Sequence, residues 1–268
     1  MPGYVYAVRD RDVYVNLFMN NAASLAVDGK KVELEQQTAY PYGDEINVRI
    51  NKNTAGLFTL KIRVPGWVKG DVVPSDLYRF VDGKETKFNV TITDAKGRSL
   101  YPDGRITADG YYTIARPWKK GDVVTLHFDM EPRLVAANDN VWADRGMVAV
   151  ERGPLVYCAE WPDNAADVRT YLLNPRATFN VNEAELKTDQ GNSYPICTLT
   201  TSDVQTLSYD NAGRLVVKDG KLTLIPYYAW DHRGQKGGME VWLPVTVGAA
   251  SATPRLFKEQ GSNGFFNR

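Results

Sequence analysis

Two cysteines and two histidines are the soft donor side chains of this sequence, and their settings limit what they can do. Cys158 stands in VERGPLVYCAEW (150–161), directly after the apolar run Leu155, Val156 and Tyr157. A reactive thiol needs a helix N-terminus, a metal or a nearby cation to lower its pKa. A strand interior supplies none of these, so Cys158 reads as a small apolar core group, and Cys197 in YPICTLT reads the same way. Sequence leaves a disulfide between them open. With no Cys-x-x-Cys and no histidine near either thiol, the spacing argues against a zinc site built from this chain alone. His127 lies in the alternating VVTLHFDM, opposite in facing to Leu126 and Phe128, and reads as a structural strand residue. His232, in the Gly-rich WDHRGQKGG, is better placed to meet a ligand. No G-x-S-x-G elbow, phosphate-cradling glycine loop or H-E-x-x-H helix occurs. A glycosidase needs two carboxylates roughly 5–10 Å apart. Asp144, Glu151, Glu160 and Asp231 sit near aromatic or Gly-rich stretches, but sequence brings no two of them together. Arg145 and Arg152 beside these acids read as ion pairs bracing a loop against a sheet.

Aromatic side chains are the other candidates, with fifteen Tyr and six Trp. Such rings suit both sheet cores and sugar-stacking surfaces. Trp67 in VPGWV, Trp118 in RPWKK, Trp142 in NVWADRG and Trp230 in YYAWDH all lie beside turn residues. Together with His232 they are the candidate contacts to a sugar or to a neighbouring domain.

The elements that must position them follow period two. Val13, Val15 and Leu17 alternate with polar or aromatic residues, as do Ile46, Val48 and Ile50, then Phe58, Leu60, Ile62 and Val64, then Val124, Leu126, Phe128 and Met130. Alternation places one set on each face of a strand, with the apolar set inward. Asp28-Gly29 in VDGKKV and Asp219-Gly220 in VKDGKL read as two-residue hairpins, and Asp82-Gly83 as a weaker third. The stretch VNEAELKTDQG (181–191) is the best helical candidate, one or two turns closing at Gly191. Short strands with almost no helix give an all-β fold class, two antiparallel β-sandwich (jelly-roll-like) domains. The expected division is 1–132 for the first sandwich and 133–224 for the second. A closing strand segment, 225–250, is a candidate to pack back on the first sandwich, and 251–268 is a polar tail expected to be poorly ordered.

Lys plus Arg (32) equals Asp plus Glu (32), so no basic excess drives nucleic-acid or anionic-membrane binding. No eighteen-residue apolar run is present to span a bilayer as a helix. The start, MPGYVYAVRD, lacks the features of a signal peptide, which fits a cytoplasmic protein or a chain beginning after any export signal.

Five ordered segments carry a family resemblance: MPGYVYAVRDRDVYVNLF, LKIRVPGWV, YYTIARPWKKGDVVTLHFDMEPRLV, DRGMVAVERGPLVYCAE and IPYYAWDHRGQKGGMEVWLP. Over residues 1–245 the chain resembles the C-terminal region of glycoside hydrolase family 127, the β-L-arabinofuranosidase-like proteins of bacteria. The resemblance implies a catalytic (α/α)₆ barrel ahead of two β-sandwiches. That barrel carries an acid/base glutamate and a cysteine nucleophile held in a Cys₃-Glu zinc site. None of those residues maps onto this sequence, which also lacks any Cys-Cys pair. The expectation is therefore a non-catalytic accessory portion with no catalytic, cofactor or metal residue of its own, inactive alone. Its expected partners are the N-terminal barrel missing from this chain, a second copy in a homodimer, and a plant-type arabinose-containing glycan, with no nucleic acid and no membrane. A barrel-facing apolar patch would involve Tyr4, Tyr6 and Trp67. For the parent protein the resemblance points to the periplasm or secretion. Two other readings compete: a stand-alone carbohydrate-binding module, and a self-contained sandwich hydrolase using local carboxylates.

Overall fold

The structure, a computed structural model, describes residues 2–234 and 237–246. The tail expected at 251–268 and the last residues of the closing segment lie outside the described residues. Among the described residues the secondary structure is strand with short 3₁₀ turns.

The first sandwich packs a five-stranded sheet on a six-stranded one. The five-stranded sheet runs Tyr6–Arg9, Asp12–Val15, Leu57–Arg63, Tyr111–Pro117, Arg105–Ile106. Asp12–Val15 and Leu57–Arg63 pair in parallel within it. The six-stranded sheet runs Asn21–Val27, Lys30–Thr38, Glu45–Asn53, Val123–Phe128, Phe88–Thr93, Ser99–Leu100. The apolar members of each alternating run face inward as expected: Val13 and Val15, Ile46 to Ile50, Phe58 to Ile62, and Val124 to Phe128 are all buried in one core. Phe128 is the hub of its ring contacts, with Trp67, Phe18 and Phe88 at 5.5, 6.0 and 6.3 Å between centroids.

A nine-stranded sheet forms the second unit. Its main path is Asn180–Lys187, Ser193–Thr201, Leu222–Pro226, Leu155–Glu160, Met147–Arg152, Pro132–Ala137, Tyr78–Phe80. Met239–Glu240 pairs with Leu155–Glu160, and Leu243–Pro244 with Met147–Arg152. One face is covered by a three-stranded sheet, Tyr171–Leu173, Val204–Tyr209 and Leu215–Asp219, around a core that includes Tyr157, Tyr171, Leu199 and Leu224. On the opposite face Phe80, Val135 and Ala149 belong to the first sandwich's core, while Cys158 and Ile225 pack with Ala229.

Asp28-Gly29 is the expected hairpin, with φ of 51° and 70° between the paired residues Val27 and Lys30. Three local expectations are corrected. Residues 181–191 form strand and turn, because Asn180–Lys187 pairs along its whole length with Ser193–Thr201 and buries Leu186. So short an isolated helix is marginal, and the ladder satisfies the same backbone groups. Asp219-Gly220 is a crossover: Leu215–Asp219 pairs with Val204–Tyr209, whereas Leu222–Pro226 belongs to the nine-stranded sheet, where Leu222 and Leu224 are buried. Asp82-Gly83 is a turn (φ of Gly83 59°) that leaves one sheet for another.

Phe128→Ala is expected to cost about 3–5 kcal/mol, because it empties a site that three other rings line. Urea unfolding of the two proteins measures it.

Candidate functional site

The four candidate tryptophans do not form one row. Trp67 and Trp118 are buried in the first core, the latter with its indole N–H donated to the Phe58 carbonyl (3.1 Å). Neither ring is open to a sugar on this chain. Of the patch expected at the N-terminus, Tyr4 is exposed, whereas Tyr6 is part-buried with its hydroxyl donated to Asn21 (2.9 Å). Trp142 is 78% exposed, beside a groove of about 530 Å³ lined by Val81, Ala137, Asp139, Asp144, Arg145 and Met147. Trp230 and His232 lie together on the loop after Pro226.

That loop is fastened from below. Leu155–Glu160 ends in Glu160, which is buried. The Arg233 guanidinium donates to both Asp163 oxygens at 2.7 Å each and also to Glu160 Oε2. The other Glu160 oxygen accepts the backbone N–H of Asp231 at 3.0 Å. Bidentate guanidinium–carboxylate geometry adds direction as well as charge. Asp231 takes φ of 61°, a left-handed conformation that Asp tolerates better than most residues. From the other side the His232 carbonyl accepts the Asp189 N–H (3.0 Å), joining the loop to the tip of the 188–192 turn. Gly237 lies so close over Trp161 that a Cβ there would stand 1.7 Å from the indole, which is why glycine is required. Sequence reasoning missed Arg233 as the anchor; its signal was a cation one turn beyond an aromatic cluster, with nothing in the sequence to show that Glu160 and Asp163 face it.

Asp144 lines the Trp142 groove, and Asp231 sits on the loop. Among the described residues Arg145 and Arg152 make no ion pair, contrary to expectation; they donate to the carbonyls of Asp139 (2.7 Å) and Tyr42 (2.9 Å) instead. His127 makes a surface contact with Asp44 at 3.0 Å.

Glu151 is different. It faces Arg133 across the strand pair, yet accepts no hydrogen bond from any described residue. Arg133 is committed to Asp82 (2.6 and 3.1 Å) and sits 3.6 Å above the Phe80 ring. Burial pushes the Glu151 carboxyl up to about 7, only partly opposed by the Arg133 charge.

Both thiols are free and buried. Ala159 and Leu199 flank Leu224 in one row of the sheet, so Cys197 shares their face and Cys158 points to the other. No disulfide joins two opposite faces. Burial pushes the Cys158 thiol up to about 12, and Glu160 reinforces this, so it is a protonated core group at neutral pH. Among the described residues no three His, Cys, Asp or Glu side chains converge. These donors do not fit the Cys₃-Glu zinc site that the resemblance implies for the barrel.

Two family descriptions match the chain in tandem. "Beta-L-arabinofuranosidase, GH127 middle domain" covers residues 12–130, and "Glycoside hydrolase family 127 C-terminal domain" covers 132–244. The chain belongs to glycoside hydrolase family 127. One relative, the non-reducing end beta-L-arabinofuranosidase of Bifidobacterium longum, is 26% identical over 252 residues, covering 89% of this chain and 34% of that protein. A solved GH127 beta-arabinofuranosidase is 52% identical with a TM-score of 0.81, over 94% of this chain and 38% of that one. A GH127 beta-L-arabinofuranosidase from Geobacillus stearothermophilus T6 gives 25% and 0.72, over 91% of this chain and 35% of that one. The chain thus spans little more than a third of the length of these relatives.

The Glu151 environment sets a pH dependence. An ordinary glutamate ionises near 4.5. Between there and about pH 7 the folded chain holds a proton that the unfolded chain has lost, so stability falls as pH rises through that window, by roughly 3 kcal/mol at most. Glu151→Gln is expected to match the parent near pH 4 and to exceed it at pH 8. Urea midpoints at the two pH values check this, and parallel curves would contradict it.

Proposed function

We propose that this chain is the non-catalytic β-sandwich portion of a β-L-arabinofuranosidase-like glycoside hydrolase, bracing a catalytic barrel, bordering its substrate cleft or forming a dimer interface. The observation that carries the reading is the tandem match to a middle and a C-terminal domain across 12–244, on a chain one third the length of its enzyme relatives. Buried thiols, whose pKa burial raises, agree with it, since a nucleophile needs activation. The groove beside Trp142, lined by Val81, Ala137 and Met147 together with Asp139, Asp144 and Arg145, suits contact with another domain. On this reading the two sandwiches act as one supporting block.

Hydrolysis of p-nitrophenyl-β-L-arabinofuranoside, with added zinc and reductant, tests the proposal. Turnover is expected only from a protein that carries this chain together with a barrel at the full length of its relatives. Turnover by the 268-residue chain alone would overturn it.

A further inference from the structure

The loop after Pro226 presents three aromatic side chains to solvent on a single 3₁₀ turn and the residue beyond it. Tyr227 is 45%, Tyr228 52% and Trp230 36% exposed. The Tyr227 and Trp230 rings are within 27° of parallel, with centroids 6.5 Å apart. Three aromatic polar atoms elsewhere are spent inside the fold: Trp118 on the Phe58 carbonyl, Tyr111 on Asn16, Tyr6 on Asn21. On this turn neither tyrosine hydroxyl nor the indole N–H bonds any described residue. Exposed Tyr194 and His232 lie at the same end of the sheet, where the 188–192 turn bonds the His232 carbonyl.

Exposed rings on a mobile loop would cost entropy to order on binding, but this turn is already held. Ala229, in its middle, is fully buried against Ile225 and Cys158. Arg233, Glu160 and Asp163 clamp its far end. A preorganised surface loses less on binding than one that must be ordered.

We propose that Tyr227, Tyr228 and Trp230 form a carbohydrate-binding platform for an uncharged oligosaccharide. The chemistry that fits is a ligand with apolar C–H faces and a rim of hydroxyls: near-parallel rings accept the faces, and the unspent Tyr hydroxyls, indole N–H and exposed Asp231 carboxylate meet the rim. An aliphatic or lipid partner would leave those polar groups unpaired, at a desolvation cost. The site needs no barrel, so it stands or falls apart from the accessory role proposed above.

Isothermal titration of the 268-residue chain with an arabinan-derived oligosaccharide tests the platform. Saturable binding is expected, weakened on the order of ten-fold or more by Trp230→Ala and by Tyr227→Ala, less by Trp230→Phe, and unchanged by Trp142→Ala, whose ring is exposed elsewhere. Thermal melts matching the parent show that each variant is folded. Absence of binding by the parent chain overturns the proposal. So does binding that survives both platform substitutions, or binding lost equally in Trp142→Ala, which would move the site to the other groove.

Discussion

Apolar contact between the two units is what the rest of this structure depends on. Phe80, Val135 and Ala149, on three adjacent strands of the nine-stranded sheet, are buried in the core that fills the first sandwich. Phe80 comes from the edge strand Tyr78–Phe80, which the first half of the chain lends to the second sheet by pairing with Pro132–Ala137. At the same seam Trp242, from the closing segment, lies 5.6 Å from the Tyr78 ring, and Arg152 reaches back to the Tyr42 carbonyl. A core shared in this way ties both units by burial, the dominant favourable term in folding. Sequence order and spatial order part company at this strand.

From that seam the sheet carries rigidity outward. Its face passes from Ala149 to Glu151, whose carboxyl is desolvated at the margin of the shared core, and on to Cys158 beneath Ala229. Beyond Cys158 the strand ends at Glu160, where one buried carboxylate serves two partners, the Asp231 N–H and Arg233. Breaking such a pair by removing one partner leaves a buried charge uncompensated. The aromatic turn therefore inherits its fixed position from the same sheet that binds the two units together.

Much of this was legible in the residues. Alternation at 46–50, 58–64 and 124–130 identified core-facing positions because each strand buries one face and wets the other. The Asp28-Gly29 hairpin was legible because its two residues must both take positive φ. What failed were signals that need a partner strand to interpret. VNEAELKTDQG has no strong period of its own, so the neighbouring Ser193–Thr201 decided its state. Asp219-Gly220 carries a hairpin signature, yet burial of Leu222 and Leu224 sent the next strand to a different sheet. Among the candidate site residues, Trp67 and Trp118 resemble Trp142 and Trp230 in their turn-flanked settings, and only packing separates buried from exposed. Tyr227, Tyr228 and Arg233 were overlooked because their significance lies in what surrounds them, not in a motif.

Differential scanning calorimetry of the chain tests the shared core most directly. If Phe80, Val135 and Ala149 bind the units into one cooperative structure, a single transition is expected, with calorimetric and van't Hoff enthalpies equal. Two separable transitions, one for each sandwich, would contradict it.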